Sequence, residues 1–214
     1  MKQFAMVVAL VGWMVLCAVP PVSAKQGVYM GLGFAYNTIK GDFDGNSGFA
    51  GASDVIIVPE IDNGKGYAVL LGFGFSPEAA FELSYQATKH NSKWLGVGFD
   101  VDYSAVDLDF KYSLNATQDT QPYLLIGLNV DTLVVKDGSA SISGQIGDAT
   151  YTGTGFNLGV GVDQYLNPHA SVGLGLAYRI VDYDHGEGVL GKGKLGDTLN
   201  GNGFGLLLDA AYHF

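Results

Sequence analysis

Residues 203–214 read GFGLLLDAAYHF, and taken two at a time they separate into two rows. Phe204, Leu206, Leu208, Ala210, Tyr212 and Phe214 are all apolar, whereas Gly205, Leu207, Asp209, Ala211 and His213 are smaller and partly polar. A period of two is that of a β-strand with unlike faces. Apolar residues in the middle and aromatics near the end suit a strand that crosses a bilayer, where aromatic girdles flank a lipid-facing band. Hydrocarbon offers no solvent to an unpaired backbone edge, so such a strand requires partners that close a ring.

The amino terminus shows how the chain would reach a membrane. Residues 1–24 carry Lys2, an apolar run over 4–19, Pro20-Pro21 and the small-x-small sequence Val22-Ser23-Ala24. This pattern predicts a cleaved secretory leader and a mature domain over 25–214 that begins at Lys25. Cys17 is the only cysteine and leaves with the leader, so the mature domain has no thiol and no disulfide. The chain has 11 Lys+Arg against 21 Asp+Glu; removing Lys2 leaves 10 against 21, a net charge of −11. An acidic exported chain lacks the basic footprint of a nucleic-acid binder.

Seven further segments alternate like the last: 27–37, 66–75, 80–90, 98–114, 121–136, 153–166 and 170–184. Their connections alternate in length. Residues 76–79, 115–120 and 167–169 are tight turns, while 38–65, 90–97, 137–152 and 185–202 are longer. Short turns on one rim and long loops on the other predict an all-β fold, an eight-stranded antiparallel up-and-down transmembrane β-barrel with both termini on the short-turn side. A soluble ligand barrel would put the large apolar row inside, but an eight-stranded interior cannot hold that many large side chains. The opposite row, with Gly31, Gly33, Gly72, Gly127, Gly161 and Gly173, suits a narrow lumen. The fourth segment is irregular: Phe99, Val101, Tyr103 and Ala105 share one parity, and Val106, Leu108, Phe110 and Tyr112 the other. Either a β-bulge near Ala105 switches faces, or the upper half of this strand stands above the membrane.

The inward row gathers Glu82, Asp107, Asp109, Lys111, Asp131, Asp163, Arg179 and Asp209. Arg179 is the only arginine, and a guanidinium binds carboxylates in a forked geometry that lysine cannot copy. Counting residues from the turns pairs Arg179 with Asp131 and Glu82 with Lys111. These charges are expected to satisfy one another and plug the barrel.

With these features the chain resembles the small eight-stranded outer-membrane barrels of Gram-negative bacteria, the OmpA-like and OmpX-like superfamily often labelled porin-family proteins. The residues that carry the resemblance are the leader, Ala80-Phe81-Glu82-Leu83-Ser84-Tyr85 after a tight turn, Gln121-Pro122-Tyr123-Leu124-Leu125-Ile126-Gly127, Asn167-Pro168-His169 with the strand to Tyr178-Arg179, and Phe214. The resemblance implies an outer-membrane location, contact with outer-membrane lipids and lipopolysaccharide, and reading of Tyr212 and Phe214 by the barrel assembly machinery. The expected function is non-enzymatic: a monomer presenting loops 38–65 and 185–202 to an extracellular ligand, for surface contact, adhesion or envelope integrity. The alternatives are a narrow channel for small solutes and a lipid A acyl-processing enzyme.

The enzyme alternative rests on His90-Asn91-Ser92, whose His-x-Ser spacing resembles the lipid A deacylase family. A serine nucleophile needs a base and an acid that orients it. Where that family's pattern has the acid, this chain has Ser104, with Asp100, Asp102 and Asp107 nearby, so the triplet reads as a polar strand end. The run Asp42-Phe43-Asp44-Gly45-Asn46-Ser47 invites a calcium reading, yet the positions that an EF-type loop fills with Gly and Glu hold Ser47 and Ser53. It reads as a solvated acidic loop. His169, His185 and His213 lack ligand-like spacing, and neither metal nor cofactor is expected. The Gly-rich run 186–203 reads as a mobile surface loop.

Overall fold

The computed structural model describes residues 26–43, 48–50, 55–141 and 143–214. The leader 1–24, Lys25, Asp44, Gly45, Asn46, Ser47 and Ser53 lie outside the described residues. In chain order come β1 (Gly27–Asn37), a 3-10 turn (Gly41–Phe43), β2 (Gly48–Ala50), β3 (Val55–Val58), β4 (Glu60–Ile61), β5 (Gly64–Gly74) and β6 (Ala79–Trp94). They are followed by β7 (Val97–Ser113), β8 (Thr120–Ala140), β9 (Ile146–Asn167), β10 (Ala170–Gly188), β11 (Gly191–Asn200) and β12 (Gly203–His213).

Every pairing is antiparallel. The ladder runs from β1 through β5, β6, β7, β8, β9, β10 and β12 and returns to β1, where Met30 stands opposite Tyr212 and Tyr36 opposite Leu206. A closed circuit answers the requirement that no backbone edge face hydrocarbon. The described residues thus form twelve strands, not eight segments, because β2, β3, β4 and β11 are added off the circuit. β3 pairs with β8, β4 with β6, β2 with β3 and β11 with β10.

Three connections that the sequence reading takes as loops are largely strand. β6 continues to Trp94, β8 to Ala140 and β10 to Gly188, and the Gly-rich run read as a mobile loop is mostly β11. These extensions form tall hairpins at the end of the barrel opposite the tight turns.

An apolar belt surrounds the lower barrel. On β5 and β6 its rungs are Tyr67–Ala87, Val69–Tyr85, Leu71–Leu83 and Phe73–Phe81, with all but Ala87 exposed. Phe81 packs edge-on against Phe110 at 5.6 Å, and Phe75 lies 5.4 Å from Phe81, an aromatic cluster at the short-turn rim. Above the belt the outward row of β6 becomes Lys89, Asn91 and Lys93.

The irregularity in β7 has a plain cause. Its pairing with β6 and β8 runs through without a register shift, so no bulge switches its faces. Val101, Tyr103 and Ala105 are buried on the same parity as Asp107 and Asp109. Below, the strand is apolar outside and polar inside; above, it is polar outside and apolar inside. The upper interior is a core in which Ile56, Ile57, Val58 and Ile61, from the segment between β1 and β5, fill the barrel mouth against Val101, Leu133, Val135 and Val181. Phe43 anchors the same segment, edge-on to Tyr151 and Tyr183 at 5.6 Å each.

Candidate functional site

The lumen is built in three levels. At the short-turn end Lys111 of β7 sits between carboxylates, its Nζ 2.7 Å from Asp163 and 3.0 Å from Glu82. The Tyr29 hydroxyl donates to the same Glu82 at 2.5 Å, and the ammonium lies over the Tyr123 ring, 4.2 Å from its centroid. Glycine in the inward row makes this possible: a Cβ at Gly72 would collide with the Tyr29 ring, and one at Gly161 with the Tyr123 ring. Asp209 and Asp163 converge on Gly173 beside this group. His213 stacks on Tyr29 at 5.0 Å and meets Ser171 at 2.9 Å. A cavity of about 90 Å³ runs from this level, where Tyr29, Glu82, Lys111 and Asp163 line it, up to Asn157 and Arg179.

The middle level is organised by Asp107, which is fully buried. It accepts from Ser84 at 3.0 Å, Gln86 at 3.1 Å, Asn157 at 3.0 Å and the Arg179 guanidinium at 3.0 Å. Asn157 also donates to Asp109 at 3.2 Å and accepts from Asn129 at 2.6 Å. Arg179 donates to the Tyr103 hydroxyl at 2.5 Å, and Tyr103 passes its own proton donation to Asp131 at 2.6 Å.

Glu82 and Lys111 are therefore in direct contact, whereas the direct pair expected between Arg179 and Asp131 is not formed. Following the pairings, Asp131 stands opposite Gly153 and Gly153 opposite Tyr183, four residues beyond Arg179 on β10. Counting from the turns neglects that stagger. Asp107 as the hub and Tyr103 as the relay were not singled out in the sequence. Tyr103 shares the parity of Asp107, and that parity was the available signal.

The upper level is the apolar core, and His90 lies at its edge. Its Nδ1 meets the Asp62 carbonyl and its Nε2 the Thr88 hydroxyl, each at 2.8 Å, while burial pushes the imidazole below the ordinary histidine range, opposed by the Asp62 contact. Ser92 donates to the Phe99 carbonyl at 3.1 Å. Both side chains are buried within β6, so the triplet is not a strand end, and neither serves the other as base or nucleophile. Of the acidic run in the first connection, Asp42 accepts from the Asn200 amide at 2.8 Å, and Phe43 is buried in the core.

Tyr212 and Phe214 face outward at the short-turn end, their rings edge-on at 5.1 Å. At the hairpin end, Leu95, Val97, Ile146 and Leu190 are exposed. Leu95 and Gly96 have φ of 49° and 82°, the left-handed pair of a two-residue hairpin turn, which favours Asn-Gly over a bulky residue.

This architecture is shared with solved structures. The chain is similar to OprG from Pseudomonas aeruginosa at 16% identity and a TM-score of 0.63, covering 90% of this chain and 98% of that one. It is similar to Neisserial surface protein A at 15% and 0.59, covering 88% and 98%, and to Ail of Yersinia pestis at 17% and 0.51, covering 89% and 100%. Likeness at this identity carries fold, not function. Among curated proteins, none matches the sequence. The family model of the outer membrane protein beta-barrel domain matches residues 8–214. With its closed antiparallel ladder and apolar belt, the chain belongs to the outer membrane protein beta-barrel domain family, whose place is the Gram-negative outer membrane.

Proposed function

We propose that the protein is a non-enzymatic surface-contact barrel whose lumen is plugged and whose tall hairpins face the exterior. Tyr212, on the closing strand, and Phe214, just past its end, would be what the assembly machinery reads. Two closures stand in series along the lumen, the Asp107–Arg179 network and the apolar core above it, which leaves the lower cavity blind and speaks against a solute channel. The observation that carries the contact reading is Leu95. It is 79% exposed and holds a left-handed backbone conformation that costs a bulky residue energy. Neither packing nor turn chemistry explains a leucine there, while an aliphatic tip on a rigid hairpin is suited to touching another surface.

The test joins two measurements. Refolded protein in a planar bilayer is expected to give no resolved channel openings. Cells carrying Leu95→Asn are expected to adhere less to cultured epithelial layers than cells carrying the native protein, although the variant should be as stable or more so. Regular openings in the native protein, or undiminished adherence of the variant, would defeat the proposal.

A further inference from the structure

We infer that the lower lumen holds a binding site for a small primary ammonium ion, formed by Asp209 of β12, Asp163 of β9 and the Tyr123 hydroxyl of β8. Below the Asp107–Arg179 pair the cavity sets the carboxylates of Glu82, Asp109, Asp163 and Asp209 against one lysine, Lys111. Glu82 and Asp163 share that lysine, and Asp109 accepts from Asn157. Among the described residues no hydrogen bond or ion pair reaches Asp209. An excess of carboxylates does not by itself make a site, but Tyr123 points the same way. It is only 7% exposed, its ring face is taken by the Lys111 ammonium, and its hydroxyl has no hydrogen-bond partner among the described residues. A hydroxyl buried without a partner costs stability, and a ligand that donates to it would recover that cost.

Glycine sets the spacing. A Cβ on Gly173 would stand 2.5 Å from Asp209 Oδ1 and 3.0 Å from Asp163 Oδ1, so both oxygens abut the one carbon-sized space that this residue leaves free. Lys111 takes the other oxygen of Asp163, Oδ2. A Cβ on Gly175, the next inward position of β10, would stand 2.6 Å from the Tyr123 hydroxyl. Successive inward positions are about 7 Å apart, a gap filled by one nitrogen that makes charge-assisted hydrogen bonds of about 2.8 Å to each side. The cavity already displays what it recognises. The Lys111 ammonium lies between carboxylates at 2.7 Å and 3.0 Å and over a tyrosine ring at 4.2 Å. Asp209, Asp163 Oδ1 and the Tyr123 hydroxyl repeat that combination beside it without a cation of their own. The aromatic lining of Tyr29, Tyr123 and Tyr165 favours an organic ammonium, and among the described residues no group of three His, Cys, Asp or Glu could hold a metal ion. A cavity of about 90 Å³, where a water needs roughly 10 to 15 Å³, admits an amine of a few heavy atoms. Its lining reaches Ser76 and Glu78 in the tight turn after β5, so entry is from the short-turn end whichever way the barrel faces.

The test titrates the refolded barrel in detergent micelles with methylammonium chloride, and separately with potassium chloride and tetramethylammonium chloride, at one fixed ionic strength. The thermal midpoint is the readout, because a ligand that binds only the folded state raises it by mass action. Methylammonium is expected to raise the native midpoint, while tetramethylammonium, which has no N–H to donate, and potassium leave it unchanged. Asp209→Asn is expected to bind methylammonium roughly tenfold more weakly, or about 1.4 kcal/mol. Tyr123→Phe, which keeps the ring under Lys111 and removes only the hydroxyl, is expected to bind roughly fivefold more weakly, and Asp197→Asn on the exposed face of β11 is the unaffected control. An equal rise with potassium or tetramethylammonium overturns the ammonium site, as does native affinity in either lumen variant. In the absence of amine Asp209→Asn should melt no lower than the native protein, since it removes a charge without a partner. A lower midpoint, or failure to fold, would mean that the carboxylate is already matched within the barrel, and it too overturns the inference.

Discussion

Arg179 is buried with two hydrogen bonds to groups that are themselves buried, so its removal strands Asp107 and loosens Tyr103 at once. Breaking a buried pair typically costs about 3 to 5 kcal/mol, because the partner is left charged and unmatched. Arg179→Ala is therefore expected to unfold at lower denaturant by a margin of that order, and Arg179→Lys to recover only part of it, since an ammonium cannot reproduce the fork. Equal stability of Arg179→Ala and the native protein would mean that the network carries no structural weight. His90 gives a second prediction. Burial lowers its pKa in the folded protein below the ordinary 6.5, so the unfolded chain binds the proton more readily. The stability that it contributes is complete above pH 6.5 and is lost as pH falls through the folded value. Amide protection factors, corrected for the intrinsic pH dependence of exchange, should fall in the β6–β7 hairpin between pH 7.5 and 5.5 in the native protein and less so in His90→Gln.

At the scale of elements, the closing strand β12 separates stability from assembly. Phe214 is exposed on the outward face and takes no part in the lumen network, so deleting it should leave the refolded barrel's melting nearly unchanged while delaying its appearance in the outer membrane of growing cells. A large melting change with normal delivery would contradict the proposed role of the terminus. The lipid-facing rows of β1, β5 and β12 could be read from sequence because hydrocarbon demands an unbroken apolar row. The hairpins above could not. In β11, GKGKLGDTLN, only Leu195 and Leu199 are apolar, so alternation is too sparse to separate a hydrated strand from a loop. β3 and β4 escaped notice for a different reason. Their apolar residues, Ile56, Ile57, Val58 and Ile61, are adjacent and do not alternate over any length, and their burial depends on a mouth formed by distant strands. The charged members of the lumen could be named from parity, and so could the adjacent-strand pair Glu82–Lys111, but the partners of Arg179 could not, because stagger between distant strands is a property of the closed ladder.

For the whole molecule, β7 shows that one set of strands encloses two interiors of opposite character without a break in register. The lower half displays its apolar side to lipid and keeps its charges inside, so its burial of apolar surface owes nothing to exclusion of water by the chain itself. The upper half hides Val101, Leu133, Val135 and Val181 from water as a soluble domain would. Exposing such a core to water raises the heat capacity, and the driving force for its burial fades on cooling. The two halves therefore differ in thermal character. The lipid-bound ring should hold its strength in the cold, while the cap seated on the same strands weakens there, making low temperature a means of loosening the exterior face without opening the wall.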